Sequence, residues 1–99
     1  MEFEFDPDKS AANREKHGLD FATAQRLWLV SGAQKPLAFP GEVRHLRIAL
    51  LGDRFWSAVF TLRGTKIRLI SVRRARQDEV TEYERAARQE TLDHPQSGR

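Results

Sequence analysis

The sequence predicts an α+β domain, an antiparallel sheet with helices packed on one face, in the order β-α-α-β-β-β-α. Two patterns carry that expectation. Residues 43–73 hold three runs rich in apolar and β-branched residues, separated by Gly52-Asp53 and Gly64-Thr65, pairs suited to tight hairpins. On either side of this block, apolar residues recur at helical spacing behind capping residues.

From the N-terminus, Glu2 to Asp6 alternates, with Phe3 and Phe5 on one side, as a short strand does. Asp6-Pro7 opens a helix, because Asp6 accepts from the free N–H groups and Pro7 suits the first helical position. Lys16-His17-Gly18 closes it, with cations near the negative helix end. Asp20 caps a second helix in which Phe21, Ala24, Leu27 and Trp28 share a face. Residues 31–41 contain two Pro and two Gly and read as a surface loop. Three strands follow, at 43–51, 54–62 and 66–73; in the middle one Trp56, Ala58, Phe60 and Leu62 should face the core. A last helix spans about 77–90, with Val80, Tyr83 and Ala87 aligned and acidic groups in its early turns. Residues 1–90 thus read as a single domain, and 91–99, with Pro95 and Gly98, as a flexible tail.

Composition narrows the chemistry. The 99 residues include no cysteine, which removes disulfides, thiolate metal sites and thiol catalysis together. The acidic, alternating N-terminus is unlike a signal peptide, and no apolar run approaches the ~18–20 residues that span a bilayer. A cytoplasmic protein with no membrane partner is the expectation. Net charge is only +3, yet it is segregated: −2 over residues 1–34, +8 over 35–76 and −3 over 77–99. A basic middle favours a polyanionic partner. The plainer alternative is a solvated strand face on which Lys and Arg protect sheet edges.

The three His, at 17, 45 and 94, lie far apart, and there is no paired ligand spacing, Gly-rich phosphate loop or GxSxG elbow. Neither a metal nor a cofactor is therefore expected. The remaining side chains, Glu, His, Tyr, Lys and Arg, are those that RNA cleavage requires: a base for the 2′-OH, cations for the dianionic phosphorane and an acid for the leaving oxygen. Glu42 and Arg44 share one face at the start of a strand. Arg68 lies inside the fourth predicted strand, and Arg73, Arg74 and Arg76 crowd its end. Tyr83 starts the second turn of the last helix, and His17 ends the first. Each has a plainer reading: Glu42–Arg44 as a surface ion pair, Tyr83 as a core aromatic with a wet hydroxyl, His17 as a cation on a helix dipole. His45 and His94 are assigned no role.

In order, Phe3-Glu4-Phe5-Asp6 with Lys9, Asn13 with Lys16-His17-Gly18, Gly41-Glu42-Val43-Arg44, and the block Ile67-Arg68-Leu69-Ile70-Ser71-Val72-Arg73-Arg74-Ala75 with Glu79 and Tyr83 resemble the BrnT toxin family. The resemblance implies a RelE-like microbial ribonuclease fold and metal-independent endoribonuclease activity that arrests growth. It also implies neutralisation by a BrnA-like ribbon-helix-helix antitoxin, with operator DNA engaged only through the toxin–antitoxin complex. On this reading Glu42, Arg68, Arg73, Tyr83 and His17 are the catalytic candidates, and Lys9, Lys16, Arg44, Arg74 and Arg76 bind RNA. Base and acid remain open between Glu42 with Tyr83 and schemes using His17 or Lys9. The competing reading is a non-catalytic RNA- or antitoxin-binding module acting in operon autoregulation.

Overall fold

In the computed structural model the backbone is described for residues 1–93 and side chains for residues 1–89. The elements are β1 (Glu2–Glu4), α1 (Pro7–His17), α2 (Phe21–Ala24) running into a 3₁₀ turn (Gln25–Trp28), β2 (Gly32–Leu37), β3 (Arg44–Leu51), β4 (Arg54–Arg63), β5 (Lys66–Arg74) and α3 (Gln77–Asp93). The class is α+β, as expected. The caps are those read from sequence: Asp6 accepts from the Asp8 N–H at 2.8 Å, and Asp20 accepts from the Thr23 N–H at 2.7 Å.

Three features differ from expectation. The segment read as a loop contains β2, so the sheet has five strands in the order β1-β5-β4-β3-β2. Pro36 is tolerated there because β2 is an edge strand and one side of it needs no ladder donor. The sheet is also mixed, since β1 runs parallel to β5 while the other pairs are antiparallel. Finally, the helices do not share one face. Phe21, Ala24 and Leu27 of the α2 segment pack with Ala49, Trp56, Ala58, Phe60 and Val72. Ser57 and Arg73, which pair across β4 and β5 on the opposite face, instead bond Glu79 of α3. Both faces of the sheet's middle are therefore covered, which buries Ser57 completely. α3 also continues to Asp93, past its expected end; residues 94–99, including His94 and most of the expected tail, lie outside the described residues. No helix among the described residues is long and apolar enough to cross a membrane.

Two details set the position of the candidate site. Val59 pairs with Ser71 and Phe60 with Leu69, so Ile70 has no opposite number and forms a bulge. The extra residue shifts the alternation: Ile67, Leu69 and Val72 all enter the core, while Arg68 and Arg73 emerge on the α3 face. Next to it, β1 stops at Glu4, leaving β5 without a strand partner on that side beyond Arg68. Asn13 of α1 takes over there. Its Oδ1 accepts from the Val72 N–H at 3.1 Å, and its Nδ2 donates to the Val72 and Leu19 carbonyls at 2.8 and 2.7 Å. One carboxamide thus substitutes for a missing strand residue and satisfies a buried backbone pair.

Candidate functional site

α3 covers only part of its sheet face. Beyond it, towards the 63–66 hairpin, lies a polar depression of about 180 Å³ lined by Lys9, Glu42, Arg44, Thr61, Arg63 and Arg68, with Asp6 at its rim and the bulged Ile70 beside Leu69 in its wall. Register explains the convergence. Arg68 pairs with Thr61 on one side and with Glu4 on the other, so all three project to the same face. Arg44 begins β3 just outside the His45–Phe60 pair, and the Thr61 hydroxyl donates to the Val43 carbonyl at 2.9 Å, fixing the entry into that strand.

Two ion pairs stand in the depression. The Arg44 Nε donates to Glu42 Oε2 at 3.0 Å, and the Arg68 Nη1 donates to Glu4 Oε2 at 3.1 Å. All four side chains keep between 24 and 33% of their surface, so solvent and ligand reach both pairs. The Arg44 guanidinium also lies 3.5 Å from the centroid of the Phe39 ring, a close cation–π stack that holds its plane. Lys9 makes no ion pair among the described residues.

Of the residues expected from sequence, Glu42, Arg68, Lys9 and Arg44 meet in this depression. The others lie elsewhere. Arg73 is five residues from Arg68, roughly 15 Å along the strand. Both its terminal nitrogens donate to Glu79 at 2.8 Å, and Glu79 also accepts from the Ser57 hydroxyl and the Arg76 N–H. Those bonds, the Arg73 guanidinium first among them, hold the Glu79 carboxyl at about 2 although burial opposes it. The same hydrogen bond to Glu79 raises Arg73. Tyr83 packs edge-on against Phe55 at 5.0 Å between centroids. Phe55 lies six residues from Thr61 along β4, about 20 Å from the depression. His17 and Lys16 end α1, Arg74 sits over Trp56 on the other sheet face, and Arg76 precedes α3 with its side chain exposed. His45 stacks on Phe60.

Sequence reasoning missed Glu4, Phe39, Thr61 and Arg63. Glu4 was visible as the outward residue between Phe3 and Phe5, but only the parallel pairing of β1 with β5 brings it to Arg68. Arg47 was also overlooked. It spans the end of the 3₁₀ turn, donating to the Leu27 and Val30 carbonyls at 2.9 and 2.7 Å and to Gln34 at 2.8 Å, and burial lowers its pKa. That arginine is occupied in holding the helix end to β2.

Among the described residues no three His, Cys, Asp or Glu side chains gather as a metal site would require. A comparison with curated proteins gives no match. Residues 5–79, which carry Lys9, Glu42, Arg44 and Arg68, match the family described as "Ribonuclease toxin, BrnT, of type II toxin-antitoxin system". That stretch is most of the chain, and the protein belongs to this family of ribonuclease toxins, whose substrate is RNA and whose partner is an antitoxin.

Proposed function

We propose that the chain is a metal-independent endoribonuclease whose reacting phosphate sits in the depression between β1, β3 and β5. The observation that carries this reading is the meeting of Lys9, Arg44 and Arg68 with the carboxylates Glu42 and Glu4 on one open patch of sheet. In the proposed reaction Glu42 takes the proton of a ribose 2′-OH, and that oxygen attacks the adjacent phosphorus. Arg44 and Arg68 stabilise the charge gathering on the phosphoryl oxygens, where a fixed fork of donors serves better than a point charge. The 5′-oxygen leaves with a proton from Lys9, giving a 2′,3′-cyclic phosphate and a free 5′-hydroxyl.

The carboxylates also bear on the competing idea of a non-catalytic RNA- or antitoxin-binding module. A pure phosphate binder gains nothing from two carboxylates against its arginines, because they repel the ligand and compete for the same donors. A nuclease needs one of them. The mixed sheet with its open basic patch supports placement among RelE-like ribonucleases, and the family supports a BrnA-like antitoxin encoded beside this chain, with operator DNA reached through that complex. The proposed setting is the cytoplasm.

The test uses purified protein, naked RNA and EDTA. Wild type should cut at an undiminished rate, and Arg68→Ala should cut about a hundredfold or more slowly, through loss of an oxyanion-type donor. Glu42→Gln should lose about 10²–10⁴-fold. Arg54→Ala, at the distant hairpin, should cut normally. Activity lost in EDTA and restored by a divalent ion overturns the metal-free mechanism; full activity in Glu42→Gln passes the base role to Glu4.

A further inference from the structure

An aromatic ring stands at the rim of the depression with much of its surface in water. Phe39 is 47% exposed, whereas the other aromatics of the chain are buried or half-buried. One face of the ring carries the Arg44 guanidinium at 3.5 Å. The turn that follows fixes its position: Pro40 presets its own φ, and Gly41 has a φ of 88°, the pair expected at the centre of a type II turn. In such a turn the first and fourth residues, here Phe39 and Glu42, have Cα atoms within about 7 Å. The loop therefore holds a flat apolar ring, a flat cation and a carboxylate as one preordered unit beside the proposed phosphate position.

Aromatic rings and guanidinium planes are the surfaces on which proteins stack splayed, unpaired RNA bases. We propose that Phe39 is a stacking platform for an unpaired base next to the reacting phosphate, so that the site takes single-stranded RNA and discriminates against paired RNA. This inference rests on the proposal that the depression holds phosphate. A base inside a duplex cannot reach the ring without unpairing, whereas a base in a loop or single strand lies on it while its phosphate reaches Arg44 and Arg68. Glu42 is then next to the ribose that joins the two.

The test is binding of a short single-stranded 2′-O-methyl oligonucleotide, which has no 2′-OH to react, read by fluorescence anisotropy. Wild type should bind it about tenfold or more tightly than Phe39→Ala or Phe39→Leu, the range of one base–aromatic stack. Phe39→Trp should bind as well as wild type. An abasic residue moved along the oligonucleotide should weaken wild type at one position by a similar factor and leave Phe39→Ala unaffected there. That arm removes the base and leaves Arg44 untouched. A hairpin duplex of equal length should bind both proteins equally weakly. Undiminished binding by Phe39→Ala and Phe39→Leu, or an abasic penalty that persists in them, overturns the platform. So does loss of antitoxin binding with RNA binding intact, which makes the ring part of a protein interface. If Arg68→Ala binds normally while the abasic penalty depends on Phe39, the platform stands and the phosphate assignment fails.

Discussion

Arg68 and Arg73 lie on one strand and one face, yet they occupy different environments. Arg68 meets Glu4 through one bond at 3.1 Å with both side chains about a third exposed, a geometry that contributes at most about 1 kcal/mol. Arg73 grips Glu79 with two bonds, and the Glu79 side chain keeps only 7% of its surface. Removing one partner of such a buried pair typically costs about 3–5 kcal/mol, because the other charge is stranded. Urea melts should therefore show Arg73→Ala strongly destabilised and Arg68→Ala within about 1 kcal/mol of wild type. Equal, small losses in both would mean that Arg73 is free to act on RNA. Asn13 belongs to the same scale. Asn13→Ala strands the buried N–H and carbonyl of Val72, at about 1–3 kcal/mol for each orphaned group, and its melting midpoint should fall accordingly. The sequence showed Asn13 among the residues that resemble the family but not its task, since its partner is 59 residues away.

At the scale of elements, what the sequence made legible followed from local rules. The caps of α1 and α2 and the two hairpin turns depend on neighbours within a few residues, and the structure places them as read. What was hidden depends on pairing between distant segments. β2 carries Pro36 and little apolar character, and it is a strand because β3 offers it a ladder and Arg47 ties the preceding turn to it. The bulge at Ile70 is equally silent in sequence, although it decides that Arg68 and Arg73 share a face. α3 was visible as a helix, but its docking face depends on Glu79, which reaches back to the Arg76 N–H as a capping residue while binding Arg73 and Ser57. That anchor makes stability pH-dependent. The Glu79 carboxyl titrates at about 2 in the folded protein, below its ordinary value near 4.5, so the folded state favours the charged form. The contribution is complete above the unfolded value and is lost as pH falls from about 4.5 towards 2. Its size, roughly 3 kcal/mol at most, follows from the shift. Wild type should lose about half of that stability between pH 5 and pH 3 in urea melts, and Glu79→Gln, weaker at neutral pH, should show a flatter profile. Parallel profiles would place the acid-sensitive group elsewhere.

Over the whole molecule, the segregated charge of the sequence is folded back on itself. The basic middle, residues 35–76, carries ten cations and two acids. Among the described residues five ion pairs form, and the cation of every one comes from this block: Lys35, Arg44, Arg54, Arg68 and Arg73. Three of the carboxylates, Glu82, Glu4 and Glu79, come from the acidic ends, so the termini neutralise the strands they pack on. Arg47 is occupied by carbonyls as well. On the proposed site the polyanion surface is narrower than the sequence count suggests, and salt dependence measures its width. Each phosphate neutralised on a single strand contributes about −0.7 to the slope of log K against log salt. Ten engaged cations would give about −7, whereas the three or four of the depression, Lys9, Arg44, Arg63 and Arg68, should give about −2 to −3. Binding of the 2′-O-methyl oligonucleotide between 50 and 200 mM salt, about the range where counterion release dominates, reads this directly. Arg63→Gln should flatten the slope by about 0.7. Arg74→Gln should not change it, because Arg74 lies over Trp56 on the opposite face. A wild-type slope of about −5 or steeper would mean that RNA runs across the basic block beyond the depression, which would then be one contact among many.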